Sequence, residues 1–130
     1  MTHIEIIQEV YKNFAQGNIA GVLAHFDKEV VWIRPGVPDI PFAGTFTGME
    51  GLGKMLTLVG RHIRLKAFTP QKFFSNENTV AVFGSDTAEA VSTGKSYTSD
   101  WVQLFTLKDD KITRVQVYMD TLAIARAFTP

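Results

Sequence analysis

Apolar residues recur along this chain at two spacings, and the change between them divides it into helices and strands. Over residues 2–16 the spacing is helical. Ile4, Ile7, Val10, Tyr11 and Phe14 share one face, and Thr2 with Glu5 forms a capping-box pattern at the start. Gly17 and Asn18 stop it. Residues 19–26 predict a second, short helix with Ile19, Val22, Leu23 and Phe26 inward. Residues 29–34, EVVWIR, switch to strand composition, and Trp32 and Arg34 share a face at period two. Residues 35–48, PGVPDIPFAGTFTG, read as a loop, because three prolines and three glycines interrupt regular structure. Thr47 and Glu50 repeat the capping pattern and open a helix over about residues 49–59. Its inner face carries Leu52, Met55, Leu56 and Val59, and Gly60 ends it.

Beyond this point the period is two. Residues 63–74 alternate until Pro70 breaks the ladder, as an edge strand or a bulge would. Residues 79–91, 97–107 and 112–119 predict three more strands, joined by polar turns. Asp120 and Thr121 can cap a short final helix through Phe128. The order predicts an α+β fold, with helices on one face of a curved, largely antiparallel sheet.

The strand over residues 79–91, TVAVFGSDTAEAV, is the most informative. One face carries Val80, Val82, Gly84, Asp86, Ala88 and Ala90. Asp86 thus sits on the more apolar face, where a carboxylate is costly without a partner. Its small neighbours leave space beside it.

Composition narrows the possibilities without choosing among them. The chain has 130 residues, which suits one domain over residues 1–130. Thirteen basic and thirteen acidic residues cancel, and no basic stripe points to nucleic acid. No cysteine is present, so disulfides and thiol catalysis are excluded and a reducing compartment fits. No apolar run approaches the ~20 residues of a membrane span, and the first residues lack a signal-peptide pattern. A soluble, cytoplasmic protein is expected.

Three runs carry a family resemblance. GNIAGVLAHFDKEVVW resembles a short helix ending in Phe before an acidic turn and strand; FAGTFTGMEGLGKML resembles a glycine-bounded entry to a third helix. TGKSYTSDWVQLFTLKDDKITRVQVYMDT resembles a closing hairpin with a terminal Tyr-x-Asp. In this order and spacing the chain is similar to the nuclear transport factor 2-like superfamily, in its SnoaL-like and ketosteroid isomerase-like branches. The resemblance implies a cone of mixed, mostly antiparallel sheet wrapped around three helices, a pocket at the open end, and a homodimer through the outer sheet face. A fold hosts many functions, so the site must be argued separately.

Three mechanisms known in such folds map onto this sequence as follows. The steroid-isomerase base falls on Arg34, and its Tyr and Asp donors fall near Val10 and Gln103. The polyketide-cyclase Asp falls on Val117. Of the two Asp of limonene-type epoxide hydrolases, one matches Asp86 and the other falls again on Val117; their Arg falls on Gly84, and their Tyr and Asn on Trp32 and Arg34. No mechanism is complete, but Asp86 and Arg34 remain as a catalytic pair facing each other across a cavity. A buried, self-neutralising ion pair is the structural alternative.

Strand phase places Trp32, Ser99, Trp101, Gln103, Val115, Val117 and Met119 on the concave face with Arg34 and Asp86, and Phe14, Met55 and Val59 close it from the helices. Apolar walls with a few polar groups describe a small-molecule pocket, and equally a plain core. His62 falls at the pocket rim; His3, His25 and His62 are scattered, so neither a metal nor a cofactor is expected. On the outer face Phe83, Val102, Leu104 and Tyr118 form an apolar patch suited to a two-fold dimer. Three functions stay open: an isomerase, cyclase or hydrolase acting on a compact carbonyl or epoxide compound, a non-catalytic binding module, and a dimerisation scaffold.

Overall fold

The computed structural model describes residues 1–130. Helix α1 spans His3–Ala15. Its capping box forms: the Thr2 hydroxyl accepts from the Glu5 amide at 3.1 Å and the Glu5 carboxylate accepts from the Thr2 amide at 2.7 Å. Helix α2 is only Ile19–Leu23, capped by the Asn18 side chain. It is shorter than the sequence suggested. Ile19 is exposed rather than inward, and Phe26 is buried but opens strand β1, Phe26–Arg34.

The segment expected to be a loop contains a strand. Strand β2, Gly44–Thr47, pairs antiparallel with β1, Val31 opposite Thr47 and Arg34 opposite Gly44. The prolines stop at Pro41, and the edge of β1 offers unpaired amides and carbonyls that a Thr-Phe-Thr run can take up. Helix α3, Gly48–His62, follows without a gap. Thr47 is still in extended strand conformation and makes no side-chain cap bond, so the second capping box does not form. Gly60 lies inside the helix rather than at its end.

The remaining strands are β3, Ile63–Asn76, β4, Thr79–Ala90, β5, Ser96–Lys108, and β6, Lys111–Met119. Asp109 and Asp110, both at positive φ, make the tight turn between β5 and β6. The sheet order is β2-β1-β6-β5-β4-β3, and all pairs are antiparallel except β1 with β6. The sheet is mixed and open, with β2 and β3 as its edges. Pro70 lies on the edge strand β3, and register shifts flank it, so its missing N–H costs no ladder bond within the sheet. Helix α4, Thr121–Phe128, is capped by Asp120, whose carboxylate accepts from the Ala123 amide at 3.0 Å.

The main core lies between α1, α2, α3 and the concave face of β1, β4, β5 and β6, with Ile7, Val30, Phe105 and Val115 fully enclosed. A smaller cluster gathers Ile40 and Phe42, Ala88 and Ala90, Tyr97, and Ile124 of α4 at one end of the β4–β5 pair. No helix is long and apolar enough to cross a membrane.

Candidate active site

Between the helices and the sheet lies a cavity of about 100 Å³, lined by twenty residues of which seventeen are hydrophobic. The other three are Arg34, Asp86 and Gln103. Strand alternation supplies the site. On β1 it turns Trp32 and Arg34 inward, and on β5 it buries Tyr97, Ser99, Trp101, Gln103 and Phe105 in succession. On β4 it sets Asp86 opposite Ser99 and Gly84 opposite Trp101.

Gly84 is required there by space. A Cβ at this position would sit 2.5 Å from Trp101 Cζ2 and 2.6 Å from the Thr69 carbonyl oxygen. Trp101 can therefore lie across the β4 backbone and stack on Phe68 of β3, with ring centroids 5.0 Å apart. Tyr11 of α1 reaches in from the other side. Its hydroxyl donates to Gln103 Oε1 at 2.7 Å, and its ring meets Phe68 and Phe105 edge-on.

Four buried side-chain polar atoms in the molecule have no hydrogen-bond partner: Trp32 Nε1, Arg34 Nε, Asp86 Oδ1 and Trp101 Nε1. All four belong to residues lining this cavity. Buried polar groups are normally paired, so four unpartnered atoms on the wall of one cavity stand out from the rest of the molecule. Arg34 is held by a contact of Nη2 with Met119 Sδ at 3.6 Å and by the Phe42 ring, whose centroid is 5.0 Å from Cζ.

Burial sets the electrostatics. Asp86, 8% exposed, has its carboxyl pushed up to about 6 by burial, with the Arg34 charge pulling the other way. Tyr97 is pushed up to about 12 by burial and by Asp86, against the Arg34 charge. Burial alone holds Tyr11 well above the usual phenol range. Arg34 is lowered by burial, opposed by Tyr97 and Asp86. The result is a carboxyl able to gain or lose a proton near neutral pH, on a wall whose unpartnered nitrogens, those of Trp32, Trp101 and Arg34, can only donate hydrogen bonds.

The residues expected from the sequence are placed as follows. Trp32, Arg34, Asp86, Trp101, Gln103, Met119, Phe14, Met55 and Val59 line the cavity. Val115 and Val117 do not; they are sealed in the core, where the wall is thick with their neighbours. Ser99 does not either. It is 1% exposed, and its hydroxyl donates to the Asp100 carbonyl at 2.7 Å and accepts from the Asp120 amide at 2.9 Å. Arg34 and Asp86 look onto one space without forming an ion pair; the ion pairs of the chain join His3 to Asp110 and Glu89 to Arg64 and Lys66. His62 is not part of the wall, and its carbonyl accepts from Val91. No three His, Asp or Glu side chains gather where they could hold a metal.

Two polar wall residues were not singled out from sequence as site residues. Tyr97 was available by extending the Trp101–Ser99 alternation one step back along β5. Tyr11 was visible on the inner face of α1, but its reach to Gln103, ninety-two positions away, is a tertiary fact.

On the convex face Phe83 and Tyr118 are exposed, and Val102 and Leu104 are half-buried. Phe74 joins them, edge-on to Phe83 at 5.8 Å.

The same fold occurs in known structures. A nuclear transport factor 2-like protein from Burkholderia xenovorans matches with a TM-score of 0.89 and 30% identity, over 98% of this chain and 95% of that one. TerC, co-crystallised with polyporic acid, matches with a TM-score of 0.84 and 28% identity over 97% of both chains. A nuclear transport factor 2-like protein of unknown function from Burkholderia pseudomallei matches with a TM-score of 0.90 and 24% identity over the full length of both. No curated protein matches the sequence. The SnoaL-like domain model matches residues 7–115, a span that takes in α1 through most of β6 and nearly all of the cavity wall, so the chain belongs to the SnoaL-like domain family.

Proposed function

We propose that residues 1–130 act as one SnoaL-like domain, an acid–base enzyme working on a compact, partly apolar carbonyl compound. Asp86 takes a proton from the carbon beside the carbonyl and returns it elsewhere on the molecule. Arg34 and the indole N–H groups of Trp32 and Trp101 hold the oxygen on which negative charge develops. The reading rests on the four unpartnered polar atoms, three donors and one carboxylate oxygen, brought together in an apolar cavity. The carboxyl near 6 supports it, since a base works best when its pKa lies close to the working pH. TerC's co-crystallisation with polyporic acid supports a small organic molecule as the kind of ligand.

The test is exchange of solvent deuterium into compact ketones, followed by NMR. The wild-type protein accelerates exchange beside the carbonyl, and Asp86→Asn loses that acceleration by ~100-fold or more. Equal exchange in the two proteins sinks the reading. A non-catalytic binding module is the second reading. It is favoured by Val117, which stands where polyketide cyclases of this fold carry their Asp and is sealed in the core. It expects ligand binding with no exchange. The convex patch of Phe83, Val102, Leu104 and Tyr118 is proposed as a homodimer face. Sedimentation at micromolar concentration reads this directly, and a persistent monomer rejects it.

A further inference from the structure

We infer that this cavity binds compact aromatic anions, a single ring bearing one carboxylate or enolate group, in a complex where the ligand carries the negative charge and Asp86 carries a proton. The inference rests on the reading of the cavity as a ligand site and adds the charge state in which it is filled.

The donors come first. Trp32 Nε1, Trp101 Nε1 and Arg34 Nε can only donate, and each is buried without a partner. Three unpartnered donors on one cavity wall call for a ligand group rich in lone pairs, and a carboxylate offers about four acceptor positions. The shape comes from the walls. Phe68 stacks on Trp101 and Tyr11 meets Phe68 edge-on, and all three line a cavity of about 100 Å³, so this part of the wall is aromatic and the space is at the scale of one ring.

The charge count decides the rest. Arg34 from β1 is the one cation in the wall, and Asp86 from β4 is the one carboxyl. Helix α1 contributes Tyr11 and β5 contributes Tyr97, both phenols held protonated by burial. The lining residues from α2, α3, β3 and β6 carry no charge. With Asp86 ionised the wall is neutral, and an entering anion meets a like charge where water does not screen it. With Asp86 protonated the wall carries one positive charge, and the carboxyl O–H becomes a further donor. One proton thus sets the preference. The same balance links this complex to catalysis. A neutral carbon acid beside ionised Asp86 and an enolate beside protonated Asp86 contain the same atoms and the same total charge, differing only in the position of one proton. A bound aromatic anion therefore imitates the intermediate.

The experiment uses benzoate as the anion and benzamide as its neutral counterpart. The chain has two tryptophans and both line the cavity, so two indole N–H signals in NMR report binding without a label. From pH 5.5 to pH 8 benzoate binding is expected to weaken by ~50–100-fold, tracking loss of the Asp86 proton, while benzamide binding stays level. In Asp86→Asn, benzoate binds at pH 8 as it does to the wild type at pH 5.5, and the pH dependence disappears. In Arg34→Met, benzamide is retained, which shows a folded site, and benzoate is lost. Benzamide binding with weak or pH-independent benzoate binding overturns this inference and leaves the pocket reading standing. Failure of both probes to move either indole signal overturns the pocket reading as well.

Discussion

The β4–β5 pair crosses two regions that share a backbone and differ in everything else. Where Val80 faces Phe105, the strands press against the helices in a sealed core, and both residues are fully buried. Six residues along β4, Asp86 faces Ser99 beside the cavity. At the first place every buried atom is apolar. At the second, a carboxylate oxygen is buried without a partner while Ser99 is bonded on both sides. Side-chain size makes the difference. At Gly84 and Asp86 the inner face of β4 is small or polar beside the cavity, whereas Ala88 and Ala90 farther along are sealed again in the smaller cluster against Ile124 of α4. One strand thus packs into core at both ends and borders the cavity only in between, at Asp86.

Substitutions can break this contrast at either side. Phe105→Ala strikes the sealed region and is expected to cost about 3–5 kcal/mol, read by chemical denaturation. Gly84→Val strikes the boundary. Its side chain would collide with Trp101 and the Thr69 carbonyl, with an expected loss of about 1–3 kcal/mol and a displaced Trp101 indole signal. The next effect has the opposite sign. The Asp86 carboxyl is raised in the fold to about 6, whereas an unfolded Asp titrates near ~3.9. Between these values the folded state binds more protons than the unfolded, so the contribution of Asp86 is fully present below pH ~4 and is lost as pH rises through 6. Asp86→Asn should therefore stabilise the protein by about 1–2 kcal/mol at pH 7.5 and by little below pH 4, measured as denaturation midpoints at the two pH values. A gain that is the same at both would show that packing, not charge, is responsible. The smallest effect belongs to Ser99→Ala, about 1 kcal/mol at either pH, through the loss of its bond from the Asp120 amide.

This stability pattern bears on function. Ionised Asp86 adds nothing to the stability of the fold, whereas Ser99 is accounted for by the bonds it makes. The cavity residues left with an unpartnered buried polar atom are Asp86, Arg34 and the two tryptophans, and these same residues carry the proposed chemistry.

The sequence by itself determined most of the fold. Helical spacing located α1 and α3, the Thr2–Glu5 box and the Asp120 cap located helix starts, and strand composition with alternation located five of the six strands and the inward phase of Trp32, Arg34, Asp86, Trp101 and Gln103. These signals are local: a helix or strand shows its buried face in the order of its own residues. Strand β2 was hidden because it forms by completing the edge of β1, and a four-residue run among glycines has no period of its own. The Thr47 side chain, although at the N-cap of α3, makes no cap bond, which the sequence pattern could not show. Tertiary structure alone decided which inward residues reach open space. Val117 and Gln103 lie opposite each other in adjacent strands, yet Val117 is sealed and Gln103 meets Tyr11 at the cavity wall. It also decided that Arg34 settles against Met119 and Phe42, and not against Asp86. Periodicity states which face a side chain points to; whether a partner waits there depends on elements distant in the chain.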